Sequence, residues 1–264
     1  MCVLHAGGDN MEYFDLTGKR AIVTGAAGGL CLGMAEGLME AGASVCIIDI
    51  SPKAEETTLK MREKGFKCSY VIANIADEKE REQAFLEAVK ELGGTLDIIV
   101  NGAGVQRRHN SEDFPLEDWN FVLDVNLTAV FSLCQMAAKQ FMAQQTKGKI
   151  INIASMLSFF GGYTVPAYAA SKGAVAQITK AFCNEWASKD INVNALAPGY
   201  MATEMNTALL DPKNPRNKEI TDRIPAHRWG TGEDMKGPCV FLASSASDYL
   251  NGAVIPVDGG YLVR

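Results

Sequence analysis

Seven short runs rich in Val, Ile and Ala, at residues 20–24, 44–49, 69–73, 96–100, 149–154, 192–195 and 253–257, alternate with longer stretches of mixed apolar and charged residues. This alternation narrows the fold more than any other feature. Runs that stay apolar at successive positions suit strands buried on both faces, and a sheet covered on both faces is built from parallel strands joined by helices. The stretches at 32–41, 52–64, 78–92, 116–144, 166–188 and 233–243 carry helical spacing, with Ser51-Pro52 and Gly232-Glu233 as start signals. The expected fold class is α/β, one doubly wound domain around a seven-stranded parallel sheet.

The segment 201–230 breaks the pattern, with Pro212, Pro215, Pro225 and mixed charges where a short turn would have sufficed. Ligands of open α/β sheets bind outside the carboxyl ends of the strands, so a long insertion there reads as a substrate lid rather than a mere surface excursion. Residues 1–10, short and Gly-containing, read as a flexible leader, and 11–264 as the folded domain.

Composition serves mainly to exclude. The net charge of −6 argues against nucleic acid as the main partner. Seven cysteines without a CxxC pair fit a reducing, cytoplasmic setting better than a disulfide framework. No run of about 18 consecutive apolar residues suggests a membrane span. His109 and His227 form no spaced ligand set, so no metal is expected.

The first run leads into Thr24-Gly-Ala-Ala-Gly-Gly-Leu-Cys-Leu-Gly33 and a helix, so backbone amides at a positive helix end stand ready for a pyrophosphate. Asp49 closes the second run, where a carboxylate accepts hydrogen bonds from both adenosine ribose hydroxyls and repels a 2′-phosphate. Gly28 precedes Gly29 and Ile50 follows Asp49, leaving Lys53 as the one nearby cation. The expected cofactor is NAD. Further along, Tyr168-Ala-Ala-Ser-Lys172 puts a phenol and an ammonium on one helix face. A cation there favours the phenolate, and the phenol can exchange a proton with an alcohol or carbonyl. Ser155, thirteen positions earlier at a strand end, supplies a hydroxyl for developing oxygen charge.

Taken together, Thr24-Gly25 to Gly29, Asn101-Gly102-Ala103-Gly104, Asn126, Ser155, Tyr168, Lys172 and Pro198-Gly199 resemble the classical short-chain dehydrogenase/reductase family over nearly the whole chain. The resemblance implies a single Rossmann-type domain, commonly a homotetramer, with Tyr168 as general acid/base and Ser155 holding the reacting oxygen. It implies that Lys172 also binds the nicotinamide ribose and that Asn126 orders a water leading protons to it. By the same resemblance Gly25, Gly29 and Leu30 belong to the cofactor cradle. The turn of Asn101, Ala103 and Gly104 would lie against the adenosine ribose, with Asn74 and Ile75 bordering the adenine. Pro198, Gly199, Met201 and Thr203 would wrap the carboxamide. Cys31 stands where the family has glycine; a tolerated small side chain is expected, with a reactive, low-pKa thiol at a helix N-terminus as the alternative.

The strings 149–159, 193–203, 222–230 and 257–264 resemble the branch of that family working on 2-dehydro-3-deoxy-D-gluconate and gluconate. The implied reaction interconverts a secondary alcohol and a ketone on a sugar acid. A sugar acid needs a cation, and Arg107-Arg108 offer a guanidinium fork for its carboxylate, with Arg228 and Arg264 as weaker candidates. Met156, Tyr163, Met201 and Trp229 are candidate pocket walls. A polyol, hydroxysteroid or 3-oxoacyl substrate is the alternative within the same chemistry, and a cofactor-binding sensor without turnover is the alternative outside it.

Overall fold

The computed structural model describes residues 12–264; the expected leader at 1–10 lies outside them. Seven strands form one sheet: β1 Arg20–Thr24, β2 Ser44–Asp49, β3 Cys68–Ile72, β4 Ile98–Asn101, β5 Gly148–Ile153, β6 Ile191–Pro198 and β7 Val254–Val257. Their order is β3-β2-β1-β4-β5-β6-β7, every pair parallel. The order turns back between β1 and β4, which opens a crevice at their carboxyl ends. The nine α-helices among the described residues are α1 Gly29–Glu40, α2 Lys53–Glu63, α3 Glu78–Glu91, α4 Leu116–Leu123, α5 Ala129–Gln144, α6 Pro166–Trp186, α7 Thr207–Leu210, α8 Pro215–Arg223 and α9 Gly232–Ala243.

Alternate residues of each strand feed two cores on opposite faces. Ile22, Cys46, Ile48, Ile99 and Ile150 pack under α3, α5 and α6, whereas Ala21, Val23, Val45, Ile47, Ile98 and Val100 pack under α1 and α9. Each such Val or Ile contributes about 1.5–3 kcal/mol by leaving water. Double-sided burial explains why these runs lack a polar alternation.

Four boundaries moved for physical reasons. The first helix begins at Gly29 rather than 32, because its glycine-rich start carries no apolar period. β6 reaches Pro198 instead of ending at 195: Asn192 and Asn194, which interrupt the apolar run, donate to the carbonyls of Asp248 and Leu250. The expected single helix at 116–144 contains a π-helical turn at Asp124–Thr128 between α4 and α5. That stretch is long and apolar enough to cross a membrane by length and composition alone; here Val122, Val130, Leu133 and Phe141 are buried within the protein. Lastly, 201–230 is not irregular throughout, since it holds α7 and α8. Leu209, Ile220 and Ile224 there join Met156 and Tyr261 in a third, small core.

Candidate active site

Two cavities meet at the carboxyl end of the sheet. The first, about 550 Å³, runs from Asp49 past the start of α1 to Lys172; the second, about 600 Å³, lies between the β5–α6 connection and α8. Ser155 and Tyr168 line both.

The first cavity is lined by a glycine-rich turn, a helix start and the carboxylate that ends β2. Gly28, the residue before α1, brings no side-chain cap, so the amides of the first turn keep their donors open, with Gly29 and Leu30 in the wall. Gly25 has φ +74°, and a Cβ on it would stand 2.6 Å from the Ala103 Cα, so only glycine lets the β1 and β4 turns touch. Thr24 Oγ1 ties those turns by accepting from the amides of Gly102 (3.0 Å) and Ala103 (3.1 Å). A side chain on Gly104 would fill space beside Asn126 Oδ1 and Lys172 Nζ. Asn74, Ile75, Ala103, Gly104, Pro198 and Gly199 all face this cavity, as do Met201 and Thr203.

Asn101 is brought elsewhere. Its amide is buried in the sheet and donates to Asn152 Oδ1 at 2.9 Å, so the turn presents Gly102, Ala103 and Gly104 to the cavity but not Asn101. At the adenosine end both Asp49 oxygens are held, Oδ2 by the Ala27 amide and Oδ1 by the Ser51 amide, each at 2.9 Å. Lys53 Nζ stands 3.7 Å from the Cβ position of Gly28 and 3.9 Å from Glu204.

At the junction, Ser155 follows β5 by two residues and starts a tight turn whose Leu157 amide it caps at 3.1 Å. Ser158 closes the reciprocal half of that box by accepting from the Ser155 amide, and donates to the Lys172 carbonyl at 2.6 Å, locking the turn to α6. Asn126, fully buried in the π-helical turn, accepts from the Val105 amide (2.8 Å) and donates to the Val105 carbonyl (2.9 Å) and to Ser171 Oγ (3.2 Å). The wide turn thus makes the side chain a clamp between the β4 loop and α6.

Tyr168 and Lys172 share one face, with Lys172 Nζ 5.7 Å from the phenol ring centre. The expected lowering of the phenol is not found. Burial raises Tyr168 above its ordinary value, opposed only by the Ser155 hydroxyl. Burial also brings Lys172 down to about 8, and its ammonium donates to the Ile153 carbonyl at 2.6 Å. Cys31 corrects the reactive-thiol alternative: burial, its main influence, pushes it up to about 12, which outweighs the helix N-terminus. Its Sγ sits 2.5 Å from where a Cβ of Gly102 would be.

In the second cavity stand Met156, Tyr163 and Arg108. Arg107 does not line it: its Nε donates to Asp118 at 3.2 Å and its guanidinium lies over Phe121. Arg228 is held by Asp234, and Arg264 donates to the Asp222 carbonyl. Sequence reasoning missed Arg216 and Arg223 of α8, and also Tyr200 and Tyr261, because no period marks the segment and Tyr261 is remote in the chain. Ser158 and Ser171 were missed too, although the Ser155-x-x-Ser158 spacing is a capping signal.

A seven-stranded parallel sheet with its strand reversal at a glycine-lined crevice is a nucleotide-binding architecture that serves many activities, so relatives matter. The family described as Enoyl-(Acyl carrier protein) reductase matches residues 25–262. The 2-dehydro-3-deoxy-D-gluconate 5-dehydrogenase of Dickeya dadantii is 50% identical over 255 residues, covering 96% of this chain and 99% of that one. The chain belongs to the short-chain dehydrogenase/reductase family. The Escherichia coli protein of the same name is 49% identical, with 96% and 99% covered. A crystal structure of a gluconate 5-dehydrogenase from Burkholderia cenocepacia, in complex with NADP and tartrate, superposes with a TM-score of 0.90 at 39% identity, covering 96% of this chain and 98% of that one. The protein is therefore an oxidoreductase enzyme of this family using a nicotinamide cofactor, and its relatives are sugar-acid dehydrogenases.

Proposed function

We propose that the enzyme interconverts a secondary alcohol and a ketone on a sugar acid of the 2-dehydro-3-deoxy-D-gluconate or gluconate type, with NAD as cofactor. The observation that carries the reading is the junction at Ser155 and Tyr168. The glycine-lined cavity ending at Asp49 and a separate cavity bearing Arg108 open onto the same two hydroxyls.

A nicotinamide bound in the first cavity supplies the hydride acceptor or donor. The chain's residues do the rest. In the reducing direction Tyr168, kept protonated by burial, gives its proton to the ketone oxygen while Ser155 donates to that oxygen and steadies its charge. In the oxidising direction the phenol first passes its proton to neutral Lys172, and the resulting phenolate oxygen takes the proton of the alcohol. Lys172, partly neutral near pH 8, is the group from which the phenol is recharged, and Asn126 keeps the β4 loop and α6 in register. Segment 201–230 serves as the lid. A sensor without turnover has no use for this acid/base set.

NAD is favoured by the fixed Asp49 carboxylate, followed by an exposed Ile50 rather than a cation. NADP is the second reading, supported by Lys53 beside Gly28 and by the NADP of the Burkholderia relative. Free thiols at all six described cysteines agree with a cytoplasmic site. Assembly as a homotetramer follows from the family resemblance, and the half-exposed Phe131, leaning on the stacked Phe182 and Trp186 of α6, is apolar surface that such an assembly would cover.

The test is a panel of gluconate-type acids, neutral polyols and hydroxysteroids, with NAD and NADP, following the absorbance of the reduced nicotinamide. Turnover confined to sugar acids and at least about tenfold better with NAD is expected, and Asp49→Ser should raise the NADP-to-NAD ratio of kcat/KM by about 10-fold or more. A wild type that prefers NADP, and loses that preference in Lys53→Gln, makes the second reading the right one. In the same panel Arg108→Gln should raise the KM for the acid by about 10-fold or more, since a charge-assisted pair is lost, while Arg107→Gln should change it by less than about threefold. Equal effects at the two arginines would remove Arg108 as the carboxylate anchor.

A further inference from the structure

The second cavity holds more unpaired positive charge than a stable fold has reason to bring together. Arg108 enters from the β4 loop and Arg216 from the first turn of α8. Among the described residues neither makes an ion pair, in contrast to Arg107 and Arg228, which have Asp118 and Asp234. The partner of Arg108 is neutral: the Gln106 oxygen accepts from its Nε and Nη2 at 2.8 and 2.6 Å when that amide is oriented to satisfy both. Arg216 is placed worse still. It follows Pro215 at the amino end of α8, where the helix dipole disfavours a cation, and its own amide is held by the Asn214 cap at 3.1 Å. The two guanidinium groups also oppose one another, since Arg216 is one reason Arg108 lies below its usual range, after burial.

Other charges near the cavity do not relieve this. Glu219, the one acidic residue in its wall, sits one turn along α8 and makes no ion pair with either arginine. Arg223, in the same wall, adds a further cation, its guanidinium lying over the Tyr261 ring at 4.3 Å. An anion between Arg108 and Arg216 satisfies all three unfavourable features at once: the unpaired guanidinium on the body, the unpaired guanidinium on the helix, and the positive helix end.

We infer that Arg216 is the second anchor of the substrate's carboxylate, which bridges Arg108 on the fixed body to Arg216 on α8 and so draws that helix over the reacting carbon. This rests on the sugar-acid reading and adds to it a positioning residue and a mode of closure. α8 is built for such a movement. Its carboxyl-terminal half is seated in the small third core through Ile220 and Ile224, and Trp229 Nε1 donates to Thr221 Oγ1 at 3.0 Å, whereas Pro215, Arg216, Lys218 and Glu219 at the other half are exposed. At the charged half Asn214 and Asn217 donate to the carbonyls of Ala208 and Leu209, each at 2.8 Å, so α7 travels with that end as α8 swings about its buried one. A neutral alcohol offers nothing to offset the repulsion between the arginines, so acid selectivity resides in closure as well as in contact.

The experiment compares D-gluconate with D-glucitol, which differ at C1, in wild type, Arg216→Gln and Arg216→Lys. Expected for Arg216→Gln is a fall of about 10- to 100-fold in the ratio of kcat/KM for acid over polyol, carried by KM rather than kcat, with Arg216→Lys recovering part of it. Hydrogen exchange supplies a readout apart from turnover. With cofactor present, D-gluconate should protect the backbone of 207–219 in wild type and fail to do so in Arg216→Gln. An unchanged acid-to-polyol ratio in Arg216→Gln, or undiminished protection, overturns the role of Arg216 while leaving the sugar-acid reading intact. A wild type that does not prefer the acid overturns both, and that outcome is distinguished by needing no variant.

Discussion

Tyr168→Phe is expected to lower kcat by about 10³-fold, within the range of a lost general acid/base, with little change in cofactor affinity. The ring keeps its place between the two cavities, so only the hydroxyl is removed. Ser155 remains to orient the reacting oxygen but has no route by which to recharge itself with a proton. The raised pKa of Tyr168 gives the expectation a direction. Because burial holds the phenol protonated, ketone reduction draws on a donor present over the whole neutral range, whereas oxidation requires the phenol to lose its proton before its buried oxygen can take that of the alcohol. Steady-state rates in both directions, with cofactor binding measured separately, check this. Retention of turnover within about tenfold would remove Tyr168 from the acid/base role.

Lys172→Met is expected to do two opposite things: suppress turnover by about 10²-fold or more, and make the cofactor-free protein more stable at pH 7 by about 2 kcal/mol. The sign follows from the depressed pKa. An ordinary lysine in the unfolded chain titrates at 10.5, and folding brings Lys172 down to about 8, so the folded state holds its proton less tightly. Below pH 8 both states are charged, and the native state bears the full cost of burying the ammonium, about 3 kcal/mol for a shift of this size. Wild-type stability should therefore gain from this group as pH rises from 8 to 10.5. Methionine, similar in length, removes the cost but leaves the Ile153 carbonyl without its donor, which returns about 1 kcal/mol. Urea unfolding at pH 7 and near pH 10.5 measures both values, and the advantage of the variant should shrink at the higher pH. A variant less stable than wild type at pH 7 would mean that the ammonium is better solvated in its pocket than its burial implies. Such an exchange of stability for function is what a site that desolvates its own proton carrier should show.

Much of the site was legible because its chemistry is local in the chain. The phenol and ammonium four residues apart, the glycines after the first strand and the carboxylate ending the second are patterns that helix and strand geometry turn directly into positions. Asn101 shows the limit. The family resemblance implied a cofactor contact for it, yet its side chain turns inward to Asn152, and Gly102, Ala103 and Gly104 face the crevice instead. Arg107 and Arg108 were indistinguishable as neighbours, and the choice between them was made by Asp118 and Phe121, residues of α4 that take one guanidinium out of the cavity. The proton affinities were the least legible. A neighbouring cation argued for a lowered phenol and a helix start for a lowered thiol, but desolvation raised both, and burial is a property of the whole packing around a group.

By itself, then, the chain's apolar rhythm determined a parallel sheet clad on both faces, and its short motifs determined that the glycine-rich turn, Asp49 and the Tyr168–Lys172 pair stand at one crevice, since these depend on residues close in sequence. The tertiary structure alone decided which arginines share a cavity, because Arg108 and Arg216 lie more than a hundred residues apart and meet only when the connection after β6 folds back over the sheet. It alone decided the π-helical turn that makes Asn126 a clamp, and the proton affinities of Tyr168, Lys172 and Cys31. Solvent exclusion and long-range charge are summed over everything packed around a group, and no local stretch of sequence contains that sum.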